Sequence, residues 1–260
     1  MQFKIRCSQI GKIMAGSIGL TDREQTELDK LLNRDKPMTE IMKKRHADLI
    51  HKRDNPTLPA GAKTYCKQWL KEKRYGRREV IRSKYLEKGN QCEDVAISMV
   101  AQQYGLNISK NESYVENDFL TGTCDVIYGK VIRDTKCSWS LFTFPLFATE
   151  IENSDYVAQL QGYMELYDCD EAWLDYVLVD TPLHLIEREA KFRAIQDNCM
   201  PEDILEKLVD EMTYIDIDLE ERIKSFKITR DKEYMASVKK RVALCQDYIN
   251  ELNGQFKEEF

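Results

Sequence analysis

Asp125, Asp134 and Lys136 stand at a spacing that suits a metal ion. They fall in Thr121–Lys136, TGTCDVIYGKVIRDTK, which reads as a hairpin turning at Gly129-Lys130, a Gly-first two-residue turn. With the turn centred there, paired residues have numbers that sum to 259, so Asp125 lies opposite Asp134. Directly opposed Cβ atoms are about 5 Å apart, and like charges there repel. Strand alternation puts Lys136 on the face of Asp134. Two carboxylates that need a cation between them, with an ammonium alongside, describe a metal site with an electrostatic helper. The apolar neighbours Val126, Ile127, Val131 and Ile132 suggest strands buried on both faces, where carboxylates need partners. The competing reading is an exposed hairpin carrying surface charge.

Other elements must bring further groups to this hairpin. Glu79–Tyr104 reads as one long helix with a weak point at Gly89-Asn90. Glu93 shares its apolar stripe with Leu86, Ile97 and Val100, so Glu93 points inward and Asp94 does not. A salt bridge to a core Lys or Arg is the alternative to a metal for Glu93. A helix capped by Ser154 and running to about Asp168 places Gln159 and Tyr163 on one face at i, i+4. Ser8 is expected either to cap a short helix within Met1–Gly19 or to seat a phosphate. Strands are expected at 113–120, 171–180, 184–192 and 222–229. Helices are expected at 201–212 and at 232–253, the last stopped by Gly254. The fold class is therefore α/β or α+β, a central mixed sheet flanked by helices.

With 260 residues, 42% of them hydrophobic and 32% charged, the chain can bury one good core with room for a smaller lobe. No apolar run reaches the roughly 20 residues of a membrane span, and the N-terminus has no signal-peptide core, so a cytoplasmic protein is expected. Eight cysteines without a C-x-x-C pair point to reduced thiols rather than a disulfide framework or a zinc site. The net charge of −6 argues against indiscriminate nucleic-acid binding. Lys63–Lys88 is the exception, with ten Lys or Arg against three acids. Tyr65, Trp69, Tyr75 and Tyr85 are interleaved there, a composition that suits a polyanion such as DNA. Arg77 and Arg78 lie in that run. The segment 20–78 reads as a helical, basic-ended insertion in a single domain over 1–260.

The order helix Glu93, Gly122-x-x-Asp125, Asp134-x-Lys136 and Gln159-x-x-x-Tyr163 resembles the PD-(D/E)XK nuclease superfamily, in its RecB-like branch. Lys88-Gly89-Asn90-Gln91-Cys92-Glu93-Asp94, Asp134-Thr135-Lys136-Cys137, Tyr156-Val157-Ala158-Gln159-Leu160-Gln161 and the run from Arg230 to Ser237 are similar to the lambda exonuclease or YqaJ-type viral recombinase family. Ile5-Arg6-Cys7-Ser8 looks like that family's N-terminal Ser motif. An Arg-x-x-x-Gly segment before the serine has no counterpart here, which leaves Arg6 as its substitute.

The resemblance implies a restriction-endonuclease-like core and a Mg²⁺ ion, with Mn²⁺ able to substitute. Asp125, Asp134 and the Thr135 carbonyl would hold it, with Glu93 completing the set. Lys136 would act on the attacking water, and Gln159, with Gln161, would position the site. Ser8 and Thr123 would contact the terminal phosphate, with Tyr163, Arg77 and Arg78 among the DNA-binding residues. The implied activity is digestion of linear duplex DNA 5′→3′ to mononucleotides, leaving a 3′ single strand for recombination. The implied partners are duplex DNA ends, a single-strand annealing protein and further copies of the chain in a ring-shaped trimer. A RecB-like repair endonuclease or single-strand nuclease, or a non-catalytic DNA-end-binding protein, are the alternatives.

Overall fold

A computed structural model describes residues 1–259. The chain opens with β1 (Ile5–Arg6) and a 3-10 turn (Cys7–Gln9). It divides into two compact units: residues 1–5, 9–78 and 236 onward, and residues 6–8 and 79–235. The segment 20–78 is thus part of a unit with both chain ends.

The first unit is helical: α1 (Ile10–Met14), α2 (Asp22–Leu32), α3 (Glu40–Asp54) and α4 (Ala60–Tyr75). Thr21 and Glu24 close a capping box, each side chain taking the other's backbone N–H. Leu28 and Leu31 of α2 bury against Leu49 of α3. Tyr65 and Trp69 do not stand ready to stack on bases. They are buried on α4, with Phe3 packed edge-on against both at 6.4 and 5.1 Å between ring centroids. Their basic neighbours are also committed: Lys73 lies over Trp69, and Arg74 stacks on Phe256 at 3.5 Å. Arg77 and Arg78 end this unit, exposed, just after Gly76 terminates α4 at φ 61°.

The first helix of the second unit is α5 (Lys84–Tyr104); residues 79–83, expected to be helical, are not, and Ser83 is the cap. Gly89-Asn90 does not interrupt it, and Leu86 is exposed. Ile97 and Val100 are buried as expected, and Cys92 and Ala96 join Val100 in packing on Val177, Val179 and Ile223. The expected strand at 113–120 is a hairpin, β2 (Val115–Glu116) with β3 (Leu120–Gly122). Asn117 makes the turn by accepting from the N–H groups of Phe119 and Leu120. β3 lies between β2 and the Arg6 end of β1.

The main sheet has β4 (Val126–Tyr128), β5 (Val131–Cys137), β6 (Glu171–Val177) and β7 (Ile223–Thr229) in that order. β4 and β5 are antiparallel, β5 and β6 parallel, β6 and β7 antiparallel, so the sheet is mixed. The parallel step is made by α6 (Ser154–Leu166), the crossover helix that a parallel pair requires. α6 meets the even-numbered face of β5, where Gln159 reaches Asp134, while α5 covers the odd-numbered face around Cys137 and Val177.

The segment 184–192 is not a strand: it belongs to α7 (Leu183–Asp197). Its Leu185, Ile186, Ala190 and Ala194 form a helical stripe, and Ile186 and Ala190 meet Leu208 and Met212 of α8 (Pro201–Met212). α9 (Lys232–Glu259) runs through Gly254, because one glycine in a helix interior costs only about 1 kcal/mol. No described helix is long and apolar enough to cross a membrane.

Candidate active site

The hairpin register is the one that the turn dictates: Tyr128 pairs with Val131, Ile127 with Ile132 and Val126 with Arg133. Gly129 sits at φ 57°, as a Gly-first turn demands. Asp125 lies one residue beyond β4, where the chain bends away and the next β5 backbone group would lose its ladder partner. Its carboxylate fills that role. Asp125 Oδ2 accepts from the Thr135 N–H at 2.8 Å and from the Thr135 hydroxyl at 3.2 Å. A strand residue directs its N–H and C=O to the same edge, so the Thr135 carbonyl also faces the Asp125 side.

Asp134 is 1% exposed. Its Oδ1 accepts from Gln159 Nε2 at 3.1 Å, and that amide also meets the Tyr163 hydroxyl at 3.1 Å. Its Oδ2 is ion-paired with the Lys136 ammonium. Lys136 lies over the Tyr156 ring at 5.1 Å. Burial works against its charge, but Asp134 and Asp125 outweigh that and hold its pKa above the usual lysine range.

Asp125 keeps part of its surface open but is enclosed by protein on most sides. Burial, then the Asp134 charge, push its carboxyl up to about 7; Lys136 and the Thr135 N–H oppose the rise, and Glu93 adds to it. The folded state therefore holds this proton more tightly than the unfolded chain. That contribution to stability is complete at low pH and is lost as pH rises from the ordinary carboxylate range to about 7. In chelator-treated protein, Asp125→Asn should remove this loss, so its melting temperature should exceed the wild type's by several degrees at pH 8 and converge with it near pH 4. Parallel melting curves of the two proteins against pH would refute the assignment.

Glu93 is only partly inward. Its side chain is 24% exposed and ion-paired with Lys110 at 3.1 Å, while Asp94, 80% exposed, is 3.5 Å from the same ammonium. Among the described residues, no three His, Cys, Asp or Glu side chains converge into a ready-made metal cage. A divalent cation nonetheless fits the donor set of Asp125, Asp134 and the Thr135 carbonyl. Two hard oxygen ligands that repel each other are the environment that such a cation relieves.

Two expected DNA contacts are internal instead. Tyr163 is buried at 5% exposure behind Gln159. Gln161, also buried, holds the connection that follows β7: its amide donates to the Thr229 carbonyl at 2.8 Å, and its oxygen accepts the Asp231 N–H at 2.8 Å. An i, i+2 spacing from Gln159 turns Gln161 to another side of α6. Arg6 and Ser8 lie beside β3: a Cβ on Gly122 would stand 3.3 Å from Cys7 Sγ and 3.0 Å from the Tyr163 ring. Ser8 is exposed, Arg6 and Thr123 half-buried. Ser8 does not cap α1, whose N-cap is Gln9. The Gly122 contact leaves no room for a methyl, so Gly122→Ala should destabilise the protein by about 1–3 kcal/mol and displace Tyr163 from Gln159. Thermal melting reads the first effect, and an unchanged melting temperature would contradict this packing.

Three features escape a local reading. Lys88 is fully buried and donates to the carbonyls of Ser138 (2.7 Å) and Trp139 (3.1 Å), and burial lowers its pKa to about 8. It therefore anchors the aromatic loop after β5 rather than meeting a polyanion. In that loop Phe142 and Phe147 are exposed while Phe144 is buried against Leu178 and Tyr214. Arg133 forms a buried two-point pair with Asp175, both contacts 2.7 Å, between the rings of Tyr104 and Trp173. Lys110 is the third feature. Its charge was visible in the sequence, but its proximity to Glu93 was not.

No protein-family model matches the chain, and no curated protein does. Among solved structures, it is similar to a phage-related exonuclease from Haemophilus somnus 129PT, at 28% identity and a TM-score of 0.69 over 98% of this chain and 97% of that one. The alkaline exonuclease LHK-Exo from Laribacter hongkongensis shares the fold at 12% identity and a TM-score of 0.58, over 98% and 92% of the two chains. Its complex with dAMP aligns at 10% identity and a TM-score of 0.59, over 99% and 95%. With Asp125, Asp134 and Lys136 on the β4–β5 hairpin and Gln159 on α6 in the register above, the chain is similar in fold to lambda exonuclease-like, YqaJ-type phage exonucleases.

Proposed function

We propose that the protein is a divalent-cation-dependent DNA exonuclease that digests linear duplex DNA 5′→3′ to mononucleotides and leaves a 3′ single strand for recombination. The observation that carries this reading is the pairing of Asp125 and Asp134 at one end of the hairpin, with Lys136 and Gln159 fixed on Asp134. The similarity to the Haemophilus somnus exonuclease supports it along nearly the whole chain.

Asp125, Asp134 and the Thr135 carbonyl would hold Mg²⁺, or Mn²⁺ in its place, with Glu93 at the margin. When bound, the ion supplies Lewis-acid polarisation of the scissile phosphate and a more acidic water. Lys136 keeps its charge beside Asp134 and stabilises negative charge that develops at the phosphate. Gln159 fixes the Asp134 carboxylate by one hydrogen bond and is itself held by Tyr163, so Asp134 cannot rotate freely. Ser8, Arg6 and Thr123, gathered beside β3, are proposed to meet the terminal phosphate, and Arg77 and Arg78 to meet the DNA backbone. A single-strand annealing protein and other copies of the chain, in a ring-shaped trimer, are the proposed partners. The proposed setting is the cytoplasm of a bacterial or phage-infected cell.

The test is digestion of 5′-phosphorylated linear duplex with and without Mg²⁺, alongside covalently closed circles. Mononucleotide release from the linear substrate, dependent on Mg²⁺, is expected. Cutting of closed circles would make the protein an endonuclease, and DNA binding without turnover would make it an end-binding protein.

A further inference from the structure

Lys110 occupies a position that the proposed chemistry does not explain. Its neighbour Asn111 is tied into the wall of the site: the Asn111 N–H donates to the Asp125 carbonyl at 2.7 Å, and its side-chain amide donates to the Cys124 carbonyl at 3.0 Å. The Asn111 side-chain oxygen accepts the Ser113 N–H at 3.2 Å, which closes the loop on itself. The backbone at residue 110 is therefore held beside Asp125, and Lys110 is not a freely wandering surface lysine. From that anchor its ammonium reaches Glu93 on α5 at 3.1 Å and Asp94 at 3.5 Å.

The charges around the site make the consequence specific. Three carboxylates, Asp125, Asp134 and Glu93, interact electrostatically. Lys136 serves Asp134 and Lys110 serves Glu93. A divalent cation arriving between Asp125 and Asp134 competes with Lys110 for Glu93, because one carboxylate oxygen cannot serve both at full strength. Resting on the nuclease reading above, we propose that Lys110 is a positioning residue of the site, the counter-ion of Glu93, which competes with the divalent cation for that carboxylate and sets how tightly the cation is held.

The experiment is isothermal titration of the full chain with Mn²⁺ alone, without DNA, for the wild type, Lys110→Met, Lys110→Arg, Glu93→Gln and the Lys110→Met/Glu93→Gln double variant. Lys110→Met should bind Mn²⁺ roughly threefold to tenfold more tightly, the scale of a partly exposed ion pair. Lys110→Arg should remain near wild type. The gain should vanish in the Glu93→Gln background, since the effect passes through that carboxylate. Unchanged or weaker Mn²⁺ binding by Lys110→Met overturns the inference alone. A gain of equal size in the Glu93→Gln background also overturns it, because the lysine would then act only through its distant field. A wild-type chain that binds no Mn²⁺ overturns the nuclease reading and this inference together.

Discussion

Lys136→Ala should lower mononucleotide release from a 5′-phosphorylated linear duplex by at least about 10²–10³-fold at saturating Mg²⁺, the usual cost of removing one preorganised electrostatic group. Asp125→Asn should lose as much, by removing a charged oxygen from the cation's donor set. The two variants should nevertheless move stability in opposite directions. Lys136→Ala leaves Asp134, 1% exposed, without its ammonium, so the protein should melt at a lower temperature. Asp125→Asn keeps an acceptor for the Thr135 N–H and relieves the repulsion with Asp134, so it should melt higher near pH 8. Far-UV circular dichroism checks that both remain folded. Equal loss of activity with opposite thermal shifts cannot arise from general damage, whereas full activity in either variant under Mg²⁺ would remove the proposed site.

The second large effect lies on the other face of the same strand. Asp175→Ala should destabilise the protein by about 3–5 kcal/mol, the cost of leaving a buried charge without its partner. At 2–4 °C per kcal/mol for a chain of this size, the melting temperature should fall by about 10 °C. The loss falls on Arg133, whose guanidinium makes two contacts to Asp175 and sits between the Tyr104 and Trp173 rings. Ser225 donates to Asp175 and is within 2.9 Å of the Tyr104 hydroxyl, so the network joins β5, β6, β7 and α5. Asp175→Asn, which keeps the shape and an acceptor, should fall between the wild type and Asp175→Ala. Because Arg133 and Lys136 point to opposite faces of β5, the activity per folded molecule at low temperature should change far less than the melting temperature. A shift of only 1–2 °C in Asp175→Ala would mean that water replaces the carboxylate and that the pair is not the buried tie described.

The amino-acid sequence alone determined whatever depends on short-range geometry. The Gly129-Lys130 turn set the β4–β5 register, and with it the approach of Asp125 to Asp134. The two-residue period of a strand put Lys136 on the face of Asp134, and the helical period put Tyr163 behind Gln159. Those periods are properties of the backbone and hold wherever the segment packs. Element ends were less legible: α5 starts at Lys84 rather than at Glu79, and the residues 184–192 joined a helix whose buried stripe faces α8.

Tertiary structure decided which side chains are available. Tyr65, Trp69 and Lys88 look like parts of a polyanion-binding stretch, yet the first two pack with Phe3 and the third is sealed under the Ser138–Trp139 carbonyls. Gln161 of α6 holds the connection after β7, Arg133 finds Asp175 across the parallel β5–β6 pair, and Lys110 reaches Glu93 from a loop pinned to Asp125. Each of these contacts joins segments far apart in the chain or on separate elements. The cost of burying a charge or an amide is settled only by the partner that the fold supplies, and no local period encodes that partner.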